Sequence, residues 1–178
     1  MATRRIEQSQ ESRRLIVTAA TELFAEKGYR QTSFVDIADK AGISRGSIPW
    51  HFGNKLGLLE TVLDEQLQAV RSGSHVEHVM DFIRAPASRL FITLIGEAVE
   101  AGSPIREHYA QLHAALRQAV LAQVPMAALP AGLDPEAVTV LLVGAVIGVH
   151  VQWRVSPEAV DLDAVEATMR ALLPLSVD

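Results

Sequence analysis

The stretch "GYRQTSFVDIADKAGISRGSIPWHFGNK", from Gly28 to Lys55, decides how the rest of the chain is read. It opens on a glycine suited to the left-handed residue that ends a helix. Ser33 then begins "SFVD", an S-x-x-D pattern that can cap a new helix. From Phe34 to Ala41 the apolar residues Phe34, Ile37, Ala38 and Ala41 fall on one face. Gly42 stops that helix, Ile43 is expected to be buried in the turn, and Ser44 is expected to cap a third helix starting at Arg45. A short helix, a turn of three or four residues containing glycine, and a second short helix make a helix-turn-helix signature. Pro49 cuts across it. A proline in a helix interior removes one hydrogen bond and crowds the carbonyl four residues back, at a cost of about 3 kcal/mol. The expectation is a helix strained, tightened toward 3₁₀ or interrupted near Ile48.

Upstream, a first helix is read from about Ser9 to Lys27, with Leu15, Ile16, Ala19, Ala20, Leu23 and Phe24 in one stripe. Downstream, helices are read from Asn54 or Lys55 to Val70, and over 75–84, 87–101, 105–124, 135–154 and 161–173. "RSGSH", Pro86, "GSP", "LPAGLDP" and "SP" punctuate them. Alternating strand patterns and hairpin turn dipeptides are missing. The chain reads as all-α: a DNA-binding domain over 1–55 and a larger helical domain over 56–178.

The bulk composition sets outer limits. The chain has 178 residues, 49% of them hydrophobic and 21% charged, which is globular. With no cysteine there is neither a disulfide framework nor a thiolate metal site. "MATRRIEQSQESRR" has no apolar leader core. "AVTVLLVGAVIGV" (Ala137 to Val149) is read as too short for a membrane span of about 20 residues. The expectation is a cytoplasmic protein. The net charge of −5 hides an asymmetry: residues 1–60 carry nine Lys/Arg against seven Asp/Glu, and the rest seven against fourteen. Opposite signs in the two halves fit two jobs in one chain.

A helix that enters the major groove needs small residues for close approach and a few long donors for base edges. Ser44, Arg45, Gly46 and Ser47 meet that need. Arg45 can grip guanine O6 and N7, worth about 1–3 kcal/mol of discrimination; a surface charge or a phosphate contact is the competing reading. Thr32 and Ser33 stand where a helix N-terminus can take a phosphate. Lys55 opens the fourth helix, where a cation opposes the helix dipole unless a phosphate is near. His51 can donate to a phosphate or simply pack, and Trp50 carries one indole donor. Arg4, Arg5, Arg13 and Arg14 make the N-terminus basic, with a loose tail as the alternative for the first two.

Gly28-Tyr29, Thr32, Asp36-Ile37-Ala38, Ala41-Gly42-Ile43-Ser44, Trp50-His51-Phe52 and Lys55 resemble, in register, the pattern of the TetR family of one-component transcriptional regulators. The resemblance covers about residues 10 to 65. It implies a three-helix DNA-binding head followed by an effector-binding and dimerising helical domain. The departure is Pro49, where the family usually has a tyrosine that touches a phosphate.

"PEAVTVLLVGAVIGVHVQWR" is apolar nearly all round, so several of its faces need cover. Gly144 and Gly148 share a face that would let a second helix approach closely. With Val140, Ile147 and Val151 they are the expected dimer interface, core packing within one chain being the alternative. Two-fold symmetry would then set two recognition helices about 34–36 Å apart on a pseudo-palindromic operator. Phe82, Phe91, Leu94, Ile95, His108, Tyr109, Leu112 and Leu116 are candidate lining for an effector pocket, with plain core as the competing reading of each. His108 and His113 are spaced i,i+5, which is poor for a metal, and no cofactor or metal is expected.

The functional reading is a homodimeric repressor released from its operator by a small hydrophobic effector. An activator, or a regulator without a ligand, is the alternative within the class. A helical interaction module or an enzyme with a similar head is the alternative outside it, although P-loop, G-x-S-x-G and H-E-x-x-H motifs are missing.

Overall fold

The computed structural model describes residues 2–72, 79–123 and 131–172. Among these residues every regular element is helical: α1 (Ala2–Lys27), α2 (Phe34–Ala41), α3 (Ser47–Phe52), α4 (Lys55–Arg71), α5 (Val79–Arg84), α6 (Arg89–Thr93), α7 (Ile95–Val99), α8 (Arg106–Gln123), α9 (Pro135–Val155) and α10 (Leu162–Leu172). The chain divides into two compact units, one of residues 1–66 with 85–109 and the other of 67–84 with 110–178. This cut is one of packing. The cut at residue 55 read from the sequence is one of function, and the two describe different things.

In the first unit, the α1 stripe Ile16, Val17, Ala19, Ala20, Leu23 and Phe24 is buried. It packs with Ile37 of α2, Ile48 of α3 and Leu58, Leu59 and Val62 of α4. Leu90, Leu94, Ala98, Ile105 and Tyr109 complete the same core. Each fully buried aliphatic side chain contributes about 1.5–3 kcal/mol, so a short element such as α3 is held by Ile48 more than by its own hydrogen bonds. Gly28 ends α1 at φ 83, its N–H donating to the Phe24 carbonyl at 3.0 Å. Gly42 ends α2 at φ 67, and the following Ile43 N–H returns to the Ala38 carbonyl at 3.1 Å. Ile43 is half-buried against the core.

Two expectations are corrected. First, α1 begins at Ala2 rather than Ser9, so Arg4 and Arg5 lie in its opening turns and not in a loose arm. Second, the helix read over 87–101 is broken. A 3₁₀ turn (Pro86–Ser88) leads into α6, and Leu94 separates α6 from α7 with ψ −6. The Thr93 hydroxyl donates to the Arg89 carbonyl at 2.9 Å and to the Ala25 carbonyl at 3.3 Å. Back-bonding of that kind bends a helix, and the bend ties it to α1. The apolar run of residues 137–149 lies within α9, which is 21 residues long and matches a membrane span by length and composition alone. Its start is capped by Asp134, its end carries Arg154, and it buries Val138, Thr139, Val143 and His150. The helix read over 75–84 is described only as Val79–Arg84; residues 75–78, 124 and 173 lie outside the described residues.

In the second unit, Met80, Ile83 and Leu162 form a small core with Val146, Val149, Trp153, Val165 and Met169 packed on it. Arg84 pairs with Asp163. Arg154 donates to the Ile83 carbonyl at 3.2 Å while its guanidinium lies over the Trp153 ring.

Candidate DNA interface

The interface is built on α2, α3 and the turns that flank them. Ser33 is the N-cap of α2: its hydroxyl oxygen accepts from the Asp36 N–H at 3.2 Å, and the Asp36 carboxylate accepts from the Ser33 N–H at 2.8 Å. This is a complete capping box. Hydrogen bonds from the Ser33 hydroxyl, then the Lys27 ion pair at 3.0 Å, hold the Asp36 carboxyl well below the usual carboxylate range. Thr32, by contrast, is buried. Its hydroxyl donates to the carbonyls of Gly28 at 2.8 Å and Leu23 at 3.2 Å. The side chain faces inward and locks the α1–α2 turn, and the Thr32 N–H, one of the groups read as favouring a phosphate, donates to the Tyr29 carbonyl at 3.3 Å.

Lys55 does similar work from the other side. Its ammonium donates to the carbonyls of Tyr29 (3.0 Å), Arg30 (3.4 Å) and Thr32 (3.0 Å). An ammonium has three N–H donors, so all three are engaged. It also lies 4.5 Å from the centre of the Tyr29 ring, a cation–π contact. The dipole conflict at the start of α4 is thus answered by the carbonyls of the α1–α2 turn.

Pro49 finds its place because α3 starts later than the sequence suggests. The helix runs Ser47–Phe52 with Gly46 as N-cap, so Pro49 sits in the first turn, where a missing N–H has no helical partner to lose. Before it the chain is tightened: Ser47 N–H donates to the Ser44 carbonyl at 3.0 Å and Ile48 N–H to the Arg45 carbonyl at 3.4 Å, both i→i−3. These are 3₁₀-type bonds. The Arg45 carbonyl, denied a proline N–H, takes the preceding one. The expected tightening near Ile48 is present, while the expected start at Arg45 and the Ser44 cap are corrected: Ser44 shares a hydrogen bond with the Ser47 hydroxyl at 2.9 Å, ahead of the helix. Ile48 is fully buried and pins α3 to the core. The opposite face presents Ser44, Arg45, Gly46, Pro49 and Trp50 to solvent, with Trp50 73% exposed.

His51 is half-buried, its ring edge-on to Trp50 at 4.5 Å. Burial, then the charge of Arg13, lowers its pKa, which favours the neutral ring; that form has one N–H to offer. Arg13 lies over the Phe52 ring at 5.4 Å and pairs with Glu65 at 3.4 Å; Arg14 pairs with Glu11 at 2.6 Å. Two supports escaped the sequence reading. Asn54 caps α4 by accepting the Gly57 N–H at 2.9 Å, which an N-x-x-G spacing before a helix could have signalled. Gly57 itself lies so close to the Phe52 carbonyl that a Cβ there would overlap it; only coordinates reveal that.

Residues 16–62, which include α2, α3 and the turns that flank them, match the model of bacterial regulatory proteins of the tetR family. Residues 100–175 match the C-terminal model of BetI-type transcriptional repressors. The chain belongs to the TetR family. It is 29% identical to the HTH-type transcriptional regulator TtgR of Pseudomonas putida, over 91% of this chain and 89% of that one. It is 26% identical to the HTH-type transcriptional regulator AcrR of Shigella flexneri, over 91% and 87%. Among solved structures it resembles NalD, the secondary repressor of the MexAB-OprM multidrug efflux pump in Pseudomonas aeruginosa. There the TM-score is 0.62 at 25% identity, over 86% and 89% of the two chains. A putative transcriptional regulator from Saccharomonospora viridis in complex with choline shares the fold, with TM-score 0.70 at 17% identity over 91% and 95%.

As a TetR-family member the protein is a DNA-binding transcriptional regulator and not an enzyme. Its remaining candidate residues fall as follows. Phe91, Leu94 and Tyr109 are buried in the first unit, Ile95 packs against the same core, and His108 approaches Asp64 at 3.8 Å. Leu112 is buried, and Phe82 and Leu116 half-buried, in the second. The eight are therefore divided between two units, four of them buried and four half-buried. A cavity of about 460 Å³ in the second unit is lined instead by Val70, Arg71, Gln111, Gln118 and three alanines. On α9, Val140, Gly144 and Val151 are exposed, while Ile147 and Gly148 are half-buried. No group of three metal-ligating side chains occurs among the described residues.

Proposed function

We propose that the protein is a homodimeric repressor that leaves a pseudo-palindromic operator when a small molecule binds its C-terminal half. The observation that carries the dimer is the outer stripe of α9. Val140, Leu141, Val151 and Val155 are 55%, 72%, 40% and 80% exposed, and a Cβ added at Gly144 or Gly148 meets open space. Four large apolar residues on one helix with two glycines between them fit a second copy of that helix at close range. Light scattering tests this directly: Gly144→Leu, whose Cβ meets open space in its own chain, should yield monomers, and an intact dimer would refute the assignment.

In this reading operator contacts lie in residues 1–55 and effector and dimer contacts in 56–178. Arg45 reads a base edge, with Ser44, Gly46 and Ser47 allowing close approach. Trp50, His51 and the α2 N-terminus at Ser33 meet the phosphates. Thr32 and Lys55 position these groups by holding the α1–α2 turn. Repression is supported by relatives described as repressors, NalD and the probable acrEF/envCD operon repressor of Escherichia coli, 24% identical over 91% of this chain. The second-unit cavity lies in the size range of small-ligand sites and mixes one guanidinium and two amides with apolar walls. An amphipathic effector suits it. Such a ligand releases the operator only by binding the released state more tightly. The test is operator affinity with and without ligands that raise the melting temperature.

A further inference from the structure

We propose that Pro49 is a specificity residue that reads a thymine methyl group in the operator. The inference rests on the assignment of α3 as the recognition helix. Ile48 is fully buried, so the solvent face of α3 is the one opposite it. Arg45 and Gly46 lie in the 3₁₀-type turn that leads into α3, and Pro49 and Trp50 lie on α3 itself. All four are exposed. Gly46 contributes only backbone, and a Cβ there would meet open space.

The hydrogen-bonding capacity of this face is therefore small. Arg45 carries a donor fork, Trp50 one indole N–H, and Ser44 a hydroxyl already shared with Ser47. The Pro49 ring has neither donor nor acceptor, and its nitrogen carries no hydrogen. Whatever it meets in the major groove, it meets by van der Waals contact alone. The base-edge group that rewards such contact is the C5-methyl of thymine. Exposed polar edges of guanine, cytosine or adenine would lose water against the ring and gain no bond in return.

The geometry also sets the spacing. The four residues from Arg45 to Pro49 run through a 3₁₀-type turn into the first turn of α3 and so rise about 6–8 Å, roughly two base-pair steps of about 3.4 Å. The thymine read by Pro49 accordingly lies one or two steps from the guanine read by Arg45 in each half-site. The neighbouring 3₁₀-type bonds keep the ring at the surface: with Ile48 N–H already on the Arg45 carbonyl, the first turn of α3 closes without anything from residue 49.

The experiment is a methyl scan. The operator is selected from random duplexes with the full-length protein, and each thymine is then replaced singly by deoxyuridine, which removes only the methyl. Burying one methyl is worth about 0.8 kcal/mol, or about fourfold in affinity. One thymine per half-site should show that loss in the wild type, and both together about fifteenfold. In Pro49→Ser the scan should be flat at that thymine, while Pro49→Ala, which keeps an apolar Cβ, should retain part of the effect. Circular dichroism melts establish that both variants fold. A wild-type scan with no thymine above twofold overturns the proposal. So does an undiminished effect in folded Pro49→Ser, or one abolished by Trp50→Ala and untouched at Pro49. Failure to select any operator would instead count against the recognition-helix assignment itself.

Discussion

Replacing Gly57 by alanine should destabilise the protein, against the usual rule for helices. A glycine inside a helix normally costs about 0.5–1 kcal/mol relative to alanine, so the naive expectation is a gain. Gly57 lies in the first turn of α4, where its N–H is held by the Asn54 side chain at 2.9 Å. A Cβ there would overlap the Phe52 carbonyl oxygen, which is itself fixed by the Asn54 N–H at 2.8 Å. Two backbone segments cannot yield as a flexible side chain would, and forced overpacking costs about 1–3 kcal/mol. After the propensity gain is subtracted, a net loss of about 1–2 kcal/mol remains. For a chain of this size that is a fall in Tm of roughly 2–8 °C. Because the crowded carbonyl belongs to the last residue of α3, operator affinity should fall too. The assay is thermal melting at fixed protein concentration beside a labelled-operator titration. Gly96→Ala in α7 is the matched control: its Cβ meets open space, and it should melt at or above the wild type. A Gly57→Ala variant that melts as high as that control would refute the reasoning.

Thr32→Val keeps shape and removes the buried hydroxyl that serves the Gly28 and Leu23 carbonyls; a loss of about 1–3 kcal/mol is expected in urea unfolding. Lys55→Gln should lower Tm and weaken operator binding while leaving the salt slope of binding unchanged; a slope flatter by about one unit would return Lys55 to the phosphates. Arg45→Ala should relax base preference at one operator position, and an unaltered selected motif would remove Arg45 from direct readout. Stability should fall as pH drops from about 6.5 to about 4. Burial, then the nearby Arg154, pushes His150 down to about 4, so the folded state keeps it neutral while the unfolded chain takes up a proton. The full effect is about 3 kcal/mol. His150→Gln should flatten this slope in urea melts between about pH 7 and 4.5, a range above the one in which the depressed Asp36 carboxyl acts.

The head of the molecule was legible because its signals are local. Ser33 and Asp36 are three residues apart, Gly42 is the residue type that takes its φ without strain, and the α1 stripe repeats within a few turns. What escaped depended on distant partners. Nothing near Lys55 in the chain shows that its ammonium will meet the carbonyls of residues 29, 30 and 32. A cation at a helix start suggested an external ligand, and the fold supplied one from its own backbone. Thr32 misled for the same reason, since a threonine beside a helix N-terminus can face either way. The break at Leu94 lies beside a Thr93 hydroxyl that reaches the Ala25 carbonyl of α1, a distant contact that the local sequence does not show. Of the candidate effector residues, Phe91, Leu94, Tyr109 and Leu112 are buried; apolar periodicity marks such a buried face without saying whether a cavity or another side chain covers it.

The central claim is that the exposed face of α3, held by Ile48 and the braced α1–α2 turn, reads a specific duplex. Binding-site selection from genomic fragments with the purified protein, repeated across salt concentrations, tests it most directly. The predicted result is one enriched motif with two-fold related half-sites about one helical turn apart, bound at least about 10³-fold more tightly than random duplex at physiological salt. Retention of all fragments alike, vanishing together as salt rises, would contradict it.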